Sequence, residues 1–112
     1  MRAAVTTRAG GPEVIEIQER PIPIAVEGEV LIRVKAFGLN RSEMFTRQGH
    51  SPGVEFPRIQ GIECVGIVEE DPSGTYSQGQ QVAAIMGGMG RFFDGGYAEY
   101  VLVPIGIVFP FE

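Results

Sequence analysis

Glycine and proline interrupt this chain so often that long helices are excluded. Sixteen glycines and eight prolines stand among its 112 residues. The longest stretch free of both is Leu39–Gln48, ten residues, shorter than the average helix of about 11–12. Inside a helix Gly costs about 1 kcal/mol and Pro about 3 kcal/mol relative to Ala. One short helix fits, with little room for a second, and the rest of the fold must be mainly β. The helix is expected just after Asn40, a favoured N-cap residue. Glu43 follows at the position from which a capping-box acid reaches back. Gly49 is placed to end the helix in a left-handed conformation.

Strand signals fill the remainder. Glu29–Phe37 alternates, with Val30, Ile32, Val34 and Ala36 on one face and Leu31, Arg33, Lys35 and Phe37 on the other. Met1–Thr7, Val14–Arg20, Ile62–Glu70, Gln81–Met86 and Tyr97–Pro104 read as further strands. Turn-forming runs such as Gly10-Gly11-Pro12 and Asp71-Pro72-Ser73-Gly74 separate them. Many short strands in a chain of this length predict one domain over residues 1–112, built as a sandwich or small barrel.

Charge and ligand counts narrow the function. The net charge is −5, and an acidic domain repels phosphate backbones, so no nucleic-acid partner is expected. There is one cysteine, Cys64, and one histidine, His50. Neither an internal disulfide nor a zinc site of about four Cys and His ligands can be built from them. No apolar signal segment opens the sequence, and no run approaches the roughly 20 apolar residues of a membrane span. The expectation is a soluble, cytoplasmic protein with no membrane partner.

Several residues invite a chemical reading. Gly87-Gly88-Met89-Gly90 is not G-x-G-x-x-G and no helix follows it, so it reads as a loop and not a phosphate cradle. Cys64, inside an apolar strand, reads as a small core hydrophobe. His50, in a Gly/Pro loop, reads as solvated. Glu63 interrupts the same apolar strand and needs a partner if buried; it either pairs with Arg47 or Arg58 or lines a cleft. Arg41, Glu43 and Arg47 surround the helix as a solvated face, with capping as the role of Glu43. Met86, Met89, Phe92 and Phe93 serve as core, as loop anchors or as the wall of an apolar pocket. These residues alone define no complete catalytic set.

The order of the segments adds a resemblance. Met1-Arg2-Ala3-Ala4-Val5 with Gly10-Gly11-Pro12-Glu13-Val14, then Glu27-Gly28-Glu29-Val30-Leu31-Ile32-Arg33-Val34, then Gly38-Leu39-Asn40-Arg41-Ser42-Glu43 follow one another. Phe56-Pro57-Arg58-Ile59-Gln60-Gly61-Ile62-Glu63 and Gly95-Gly96-Tyr97-Ala98-Glu99-Tyr100-Val101 complete the series. In this order and spacing, the chain resembles the N-terminal GroES-like domain of the medium-chain dehydrogenase/reductase superfamily, in its zinc-free quinone oxidoreductase branch. The resemblance covers essentially the whole chain and implies a partly open small β-barrel with one or two short helices.

The same resemblance carries expectations about function. Zinc-dependent relatives place a Cys where Asn40 stands and a His where Ile62 stands, and neither residue here can replace those ligands. It therefore implies a reductase that works without a metal, on a quinone or conjugated enone whose negative charge delocalises as hydride arrives. Asn40, Glu43, Phe45 and Arg47 match positions lining the nicotinamide and substrate cleft, with Glu63 added as a cleft candidate. Phe45 stands where relatives often carry Tyr, which removes a possible proton donor. Arg47 is expected to meet a phosphate or an anionic substrate, and Phe92 and Phe93 to border the pocket. No residue is singled out as catalytic. NADPH is the implied cofactor, held mainly by a Rossmann domain that this chain lacks, so the chain alone is expected not to bind it tightly and to be inactive. The uncovered cleft face and the apolar stretch Ile105–Phe111 are expected to seek partners or self-associate. Two other readings fit the motifs: a stand-alone GroES-like binding or assembly module, and an enoyl reductase fragment of a larger synthase.

Overall fold

The structure, a computed structural model, describes residues 1–111. Two antiparallel sheets form the frame. In the smaller one, β1 (Arg2–Thr6) lies between β2 (Ile15–Glu19) and the two-residue β4 (Arg58–Ile59). The larger sheet holds β3 (Glu29–Phe37), β5 (Glu63–Glu70), β6 (Gln81–Ile85), β7 (Tyr100–Pro104) and β8 (Val108–Pro110) in the order β7-β3-β5-β6-β8. Residues 97–99 join the sheets. The Ala4 amide donates to the Tyr97 carbonyl at 2.8 Å and the Glu99 amide to the Arg2 carbonyl at 3.1 Å. On the other side the Val34 amide donates to the Glu99 carbonyl at 2.8 Å. The result is a curled half-barrel, mainly β with one helix.

The barrel interior follows from the alternation. Val30 and Ile32 of β3 are fully buried against Cys64 and Val68 of β5, Val82 and Ala84 of β6, and Val101 and Val103 of β7. Met89 enters this core from the glycine-rich loop. A second cluster of Ala3, Val5 and Ile59 sits under the small sheet. β3 bends on its way across, because its register with β5 shifts between Leu31 and Ile32 and again between Val34 and Ala36; such bulges increase local twist and curl a sheet.

Three boundaries differ from the pattern-based expectation. The segment expected as a strand from Val14 begins with a 3-10 turn over Pro12–Val14, and β2 starts at Ile15; the fixed φ of Pro12 starts the turn, which drops Val14 into the interior. The segment expected as a strand from Tyr97 is regular only from Tyr100, because residues 97–99 cross between sheets. The apolar end does not lie free: Ile105–Ile107 turns, Val108 is buried, and β8 pairs with β6. Phe109 and Phe111 remain exposed.

The helix forms where expected, as α1 (Arg41–Arg47) with Asn40 as N-cap. Gly49 follows with φ +94°, the left-handed ending that favours glycine.

Candidate functional site

The site is organised by Glu43. It is the third residue of α1 and only 5% exposed. One carboxylate oxygen, Oε1, accepts the Asn40 amide at 2.6 Å, closing the capping box. The other, Oε2, accepts the Ile62 amide at 3.1 Å. The carboxylate thus holds residues 40 and 62 side by side. The Glu43 carbonyl accepts from Gln60 Nε2 at 2.9 Å, and Gln60 Oε1 accepts from the Thr6 hydroxyl at 2.7 Å. Thr6, Glu43 and Gln60 are all buried, and a satisfied buried polar chain of this kind fixes one arrangement of the elements it joins. Here it joins α1 to the turn before β5 and to β1. The Tyr97 phenol is pushed above its ordinary value, by burial first and then by the Glu43 carboxylate.

The helix so mounted forms one wall of a cavity of about 380 Å³, within the range of small-molecule sites. Ser42, Phe45 and Thr46 of α1 line it, with His50 and Ser51 beyond the helix. The opposite lining comes from Ile62 and from the loop Met86–Met89 and Arg91. Thr46 and Ser51 share a hydroxyl–hydroxyl bond of 2.7 Å, which holds the loop carrying His50 against the helix. Met86 has φ +57°, a conformation rare for a residue with a Cβ and often found beside functional sites; its amide is tied to the Ile62 carbonyl at 2.7 Å.

A glycine cluster sets the far wall. Gly61 and Gly90 have φ of +111° and +75°. A Cβ on Gly90 would lie 2.6 Å from the Gly61 carbonyl oxygen, and a Cβ on Gly95 would collide with the same atom. The loop can therefore press against the turn before β5 only with glycine at these places.

The structure distributes the expected residues unevenly. Asn40 and Glu43 organise the helix start, and Phe45 lines the cavity, half-exposed. Asn40 Nδ2 is buried with no hydrogen-bond partner. Arg47 is turned elsewhere: its Nε donates to the Gly10 carbonyl at 3.1 Å, and its own carbonyl accepts the Gly10 amide. Glu63 pairs with neither Arg47 nor Arg58; Arg58 instead bonds Asp94 at 3.2 Å. Its carboxylate lies over Gly38 and lines a separate cavity of about 210 Å³ with Phe37, Cys64 and Ile85. Phe92 is exposed under the Arg91 guanidinium, 5.4 Å from its ring centre. Phe93 packs on the barrel core and lines a third, larger cavity of about 460 Å³ near Pro21 and Pro23. That cavity holds none of the helix residues, so size alone does not locate the site. Cys64 is buried and its thiol is pushed up to about 11, chiefly by burial, in line with its reading as a core hydrophobe. Sequence reasoning missed Ser42, Thr46, Ser51 and Arg91 as lining residues. Ser42, Phe45 and Thr46 do share an i, i+3, i+4 face, a signal visible once the helix is placed.

Donor chemistry at the paired positions does not suit zinc. Ile62 offers only hydrocarbon and Asn40 an amide, and no group of three His, Cys, Asp or Glu converges among the described residues. The nicotinamide question is different. The unpartnered Asn40 amide is a buried donor without an acceptor, the kind of group that would fit a carbonyl oxygen.

A curled antiparallel half-barrel with one helix and a cleft beside it defines the GroES-like class of domain. The chain matches the alcohol dehydrogenase GroES-like domain over residues 26–112. It is 35% identical to the quinone oxidoreductase of Lama guanicoe, covering 91% of this chain and 31% of that protein. It superposes on the quinone oxidoreductase of Thermus thermophilus, whose structure was also determined with NADPH, with TM-score 0.78 and 38% identity over all of this chain and 32% of that one. A structure of an NAD-dependent alcohol dehydrogenase gives TM-score 0.89 and 30% identity, over 98% of this chain and 39% of that one. The chain belongs to the alcohol dehydrogenase GroES-like domain family, within the medium-chain dehydrogenase/reductase group. It spans about a third of the length of these relatives. No helix among the described residues is long and apolar enough to cross a membrane.

Proposed function

We propose that this chain is the substrate-side domain of an NADPH-dependent reductase of quinones or conjugated enones that works without zinc. One observation carries the reading. Glu43 holds Asn40 and Ile62 together at the two positions where zinc-dependent relatives carry ligands, and neither side chain can ligate the metal. The overall fold does not separate the two chemistries, since the alcohol dehydrogenase and the quinone oxidoreductase both superpose well. The residues do.

A bound nicotinamide supplies the hydride. Without a Lewis acid, the acceptor must spread its developing negative charge over its own conjugated oxygen. The chain's part is to position that acceptor. Phe45 and Met86 give apolar walls, Asn40 holds a buried amide donor without a partner at the start of the same helix as Phe45, and donors fixed before charge develops cost little reorganisation. Phe45 has no hydroxyl to deliver a proton; the proton donors that line the cavity are the hydroxyls of Ser42, Thr46 and Ser51 and the imidazole of His50. The dinucleotide is held mainly by a following Rossmann domain, and the 112-residue chain alone is inactive.

The test is an assay of the product of the full reading frame with NADPH, a panel of quinones and enones, and a simple aldehyde. Reduction of quinone or enone that survives a chelator is expected, with Asn40→Ala lowering kcat/KM about tenfold through loss of one hydrogen bond to a developing charge. Zinc-dependent aldehyde reduction would overturn the reading.

A further inference from the structure

Arg91 is the residue that neither the helix network nor the proposed hydride chemistry uses. It lines the 380 Å³ cavity. Its Nε is buried without a hydrogen-bond partner. The ion pairs of the described residues, between the Met1 amine and Glu19 and between Arg58 and Asp94, leave it out. Its guanidinium is held over Phe92, so its position is partly set before any ligand arrives. No Asp or Glu lines the cavity. Glu43, the buried carboxylate of the helix that lines the cavity, has both oxygens engaged by the amides of Asn40 and Ile62, and Asp94 is paired with Arg58. Ser42, Thr46 and Ser51 add hydroxyls and His50 an imidazole. In a chain of net charge −5, this cavity therefore pairs an unneutralised cation with hydroxyl groups and apolar walls.

We infer that Arg91 is a specificity-determining residue that selects acceptors carrying a carboxylate beside the conjugated group. A guanidinium recognises a carboxylate through two parallel N–H donors. Phe45, Ile62, Met86 and Met89 provide the apolar surface for the conjugated part. A neutral quinone fills the walls and leaves the guanidinium unmatched; an enone carboxylate satisfies both. The inference rests on the reductase reading for the word acceptor, but its binding arm stands apart from turnover.

The experiment uses the product of the full reading frame and two probes of nearly equal shape, trans-4-oxo-2-pentenoate and the neutral 3-penten-2-one, titrated by NMR. The carboxylate probe is expected to bind about tenfold tighter, the worth of one charge-assisted contact in a half-exposed site. Arg91→Gln is expected to erase that preference while leaving the affinity for pentenone within about twofold. Arg91→Lys, which keeps the charge and loses the fork, is expected to retain part of it. Equal affinity for the two probes, saturable binding of neither, or a preference that survives Arg91→Gln overturns the inference. Pyrophosphate forms a separate arm, because a cofactor phosphate is the other oxyanion that Arg91 could meet. Tighter Arg91-dependent binding of pyrophosphate than of oxopentenoate also overturns the assignment. Absence of turnover by the full-length product, with the Arg91-dependent preference intact, refutes the reductase reading and leaves the carboxylate site standing.

Discussion

Glu43 shows how much one side chain can decide. Its capping role is local and follows from spacing, since Asn40 and a carboxylate three residues on favour the same turn. Its second bond, to the Ile62 amide, spans nineteen residues and has no local signature. Replacing Glu43 by Gln turns an acceptor into a donor beside one of two amides and leaves a buried N–H unsatisfied. The expected cost is about 2 kcal/mol, read from urea unfolding, together with loss of amide-exchange protection at Ile62. An unchanged midpoint would mean that the carboxylate is dispensable to the helix mount. Cys64 permits a second prediction at this scale. Its thiol is pushed from 9.0 to about 11, mainly by burial. Below pH 9 the folded and unfolded chains both keep the proton, and the contribution is constant. Between pH 9 and 11 the unfolded chain loses it first, so stability falls as pH rises. Tyr97, raised by burial and Glu43, acts in the same direction above its ordinary value of 10.0. Unfolding midpoints measured from pH 8 to 11 are expected to decline, and to decline less in Cys64→Ala.

Among the elements, the glycine-rich loop matters most for the cavity. It carries Met86, Arg91 and Phe92, and it is fastened by the close approach of Gly61, Gly90 and Gly95. Gly95→Ala puts a methyl group into the Gly61 carbonyl, with backbone and not a flexible side chain in the way. The expected loss is about 3 kcal/mol or more, as for other severe backbone clashes. Gly106→Ala, where nothing lies within 4 Å, is the control and is expected to change stability by less than about 0.5 kcal/mol. Equal effects in a thermal or urea comparison would deny the loop its anchoring role. The reading of Gly87–Gly90 as a loop holds; the sequence offered no sign that Gly90 closes on Gly61, because that contact depends on where β4 and β5 lie.

For the whole molecule, the uncovered surface is the consequence. Leu39 is 80% exposed, Met86 61% and Phe92 58%, with Phe45 beside Met86 in the cavity wall. Large apolar side chains exposed to this extent mark a surface made to be covered. The isolated 112-residue chain is expected to associate as its concentration rises. Light scattering should show a weight-average mass above the 12.1 kDa of one chain, and Leu39→Ser should lower it. A mass that stays monomeric at high concentration would remove the expectation.

The sequence by itself determined the class of fold, the place of the one helix and the absence of zinc ligands at positions 40 and 62. These rest on local steric rules: where Gly and Pro fall, which residues alternate, and which atoms a side chain owns. Tertiary structure alone decided that Glu63 faces a separate cavity, that Arg47 is turned to Gly10, that Phe93 points to the core, and that Arg91 stands unneutralised beside the helix. Those outcomes depend on which distant segments meet when the two sheets curl together, and alternation along a strand records which face a residue takes without recording what lies across from it.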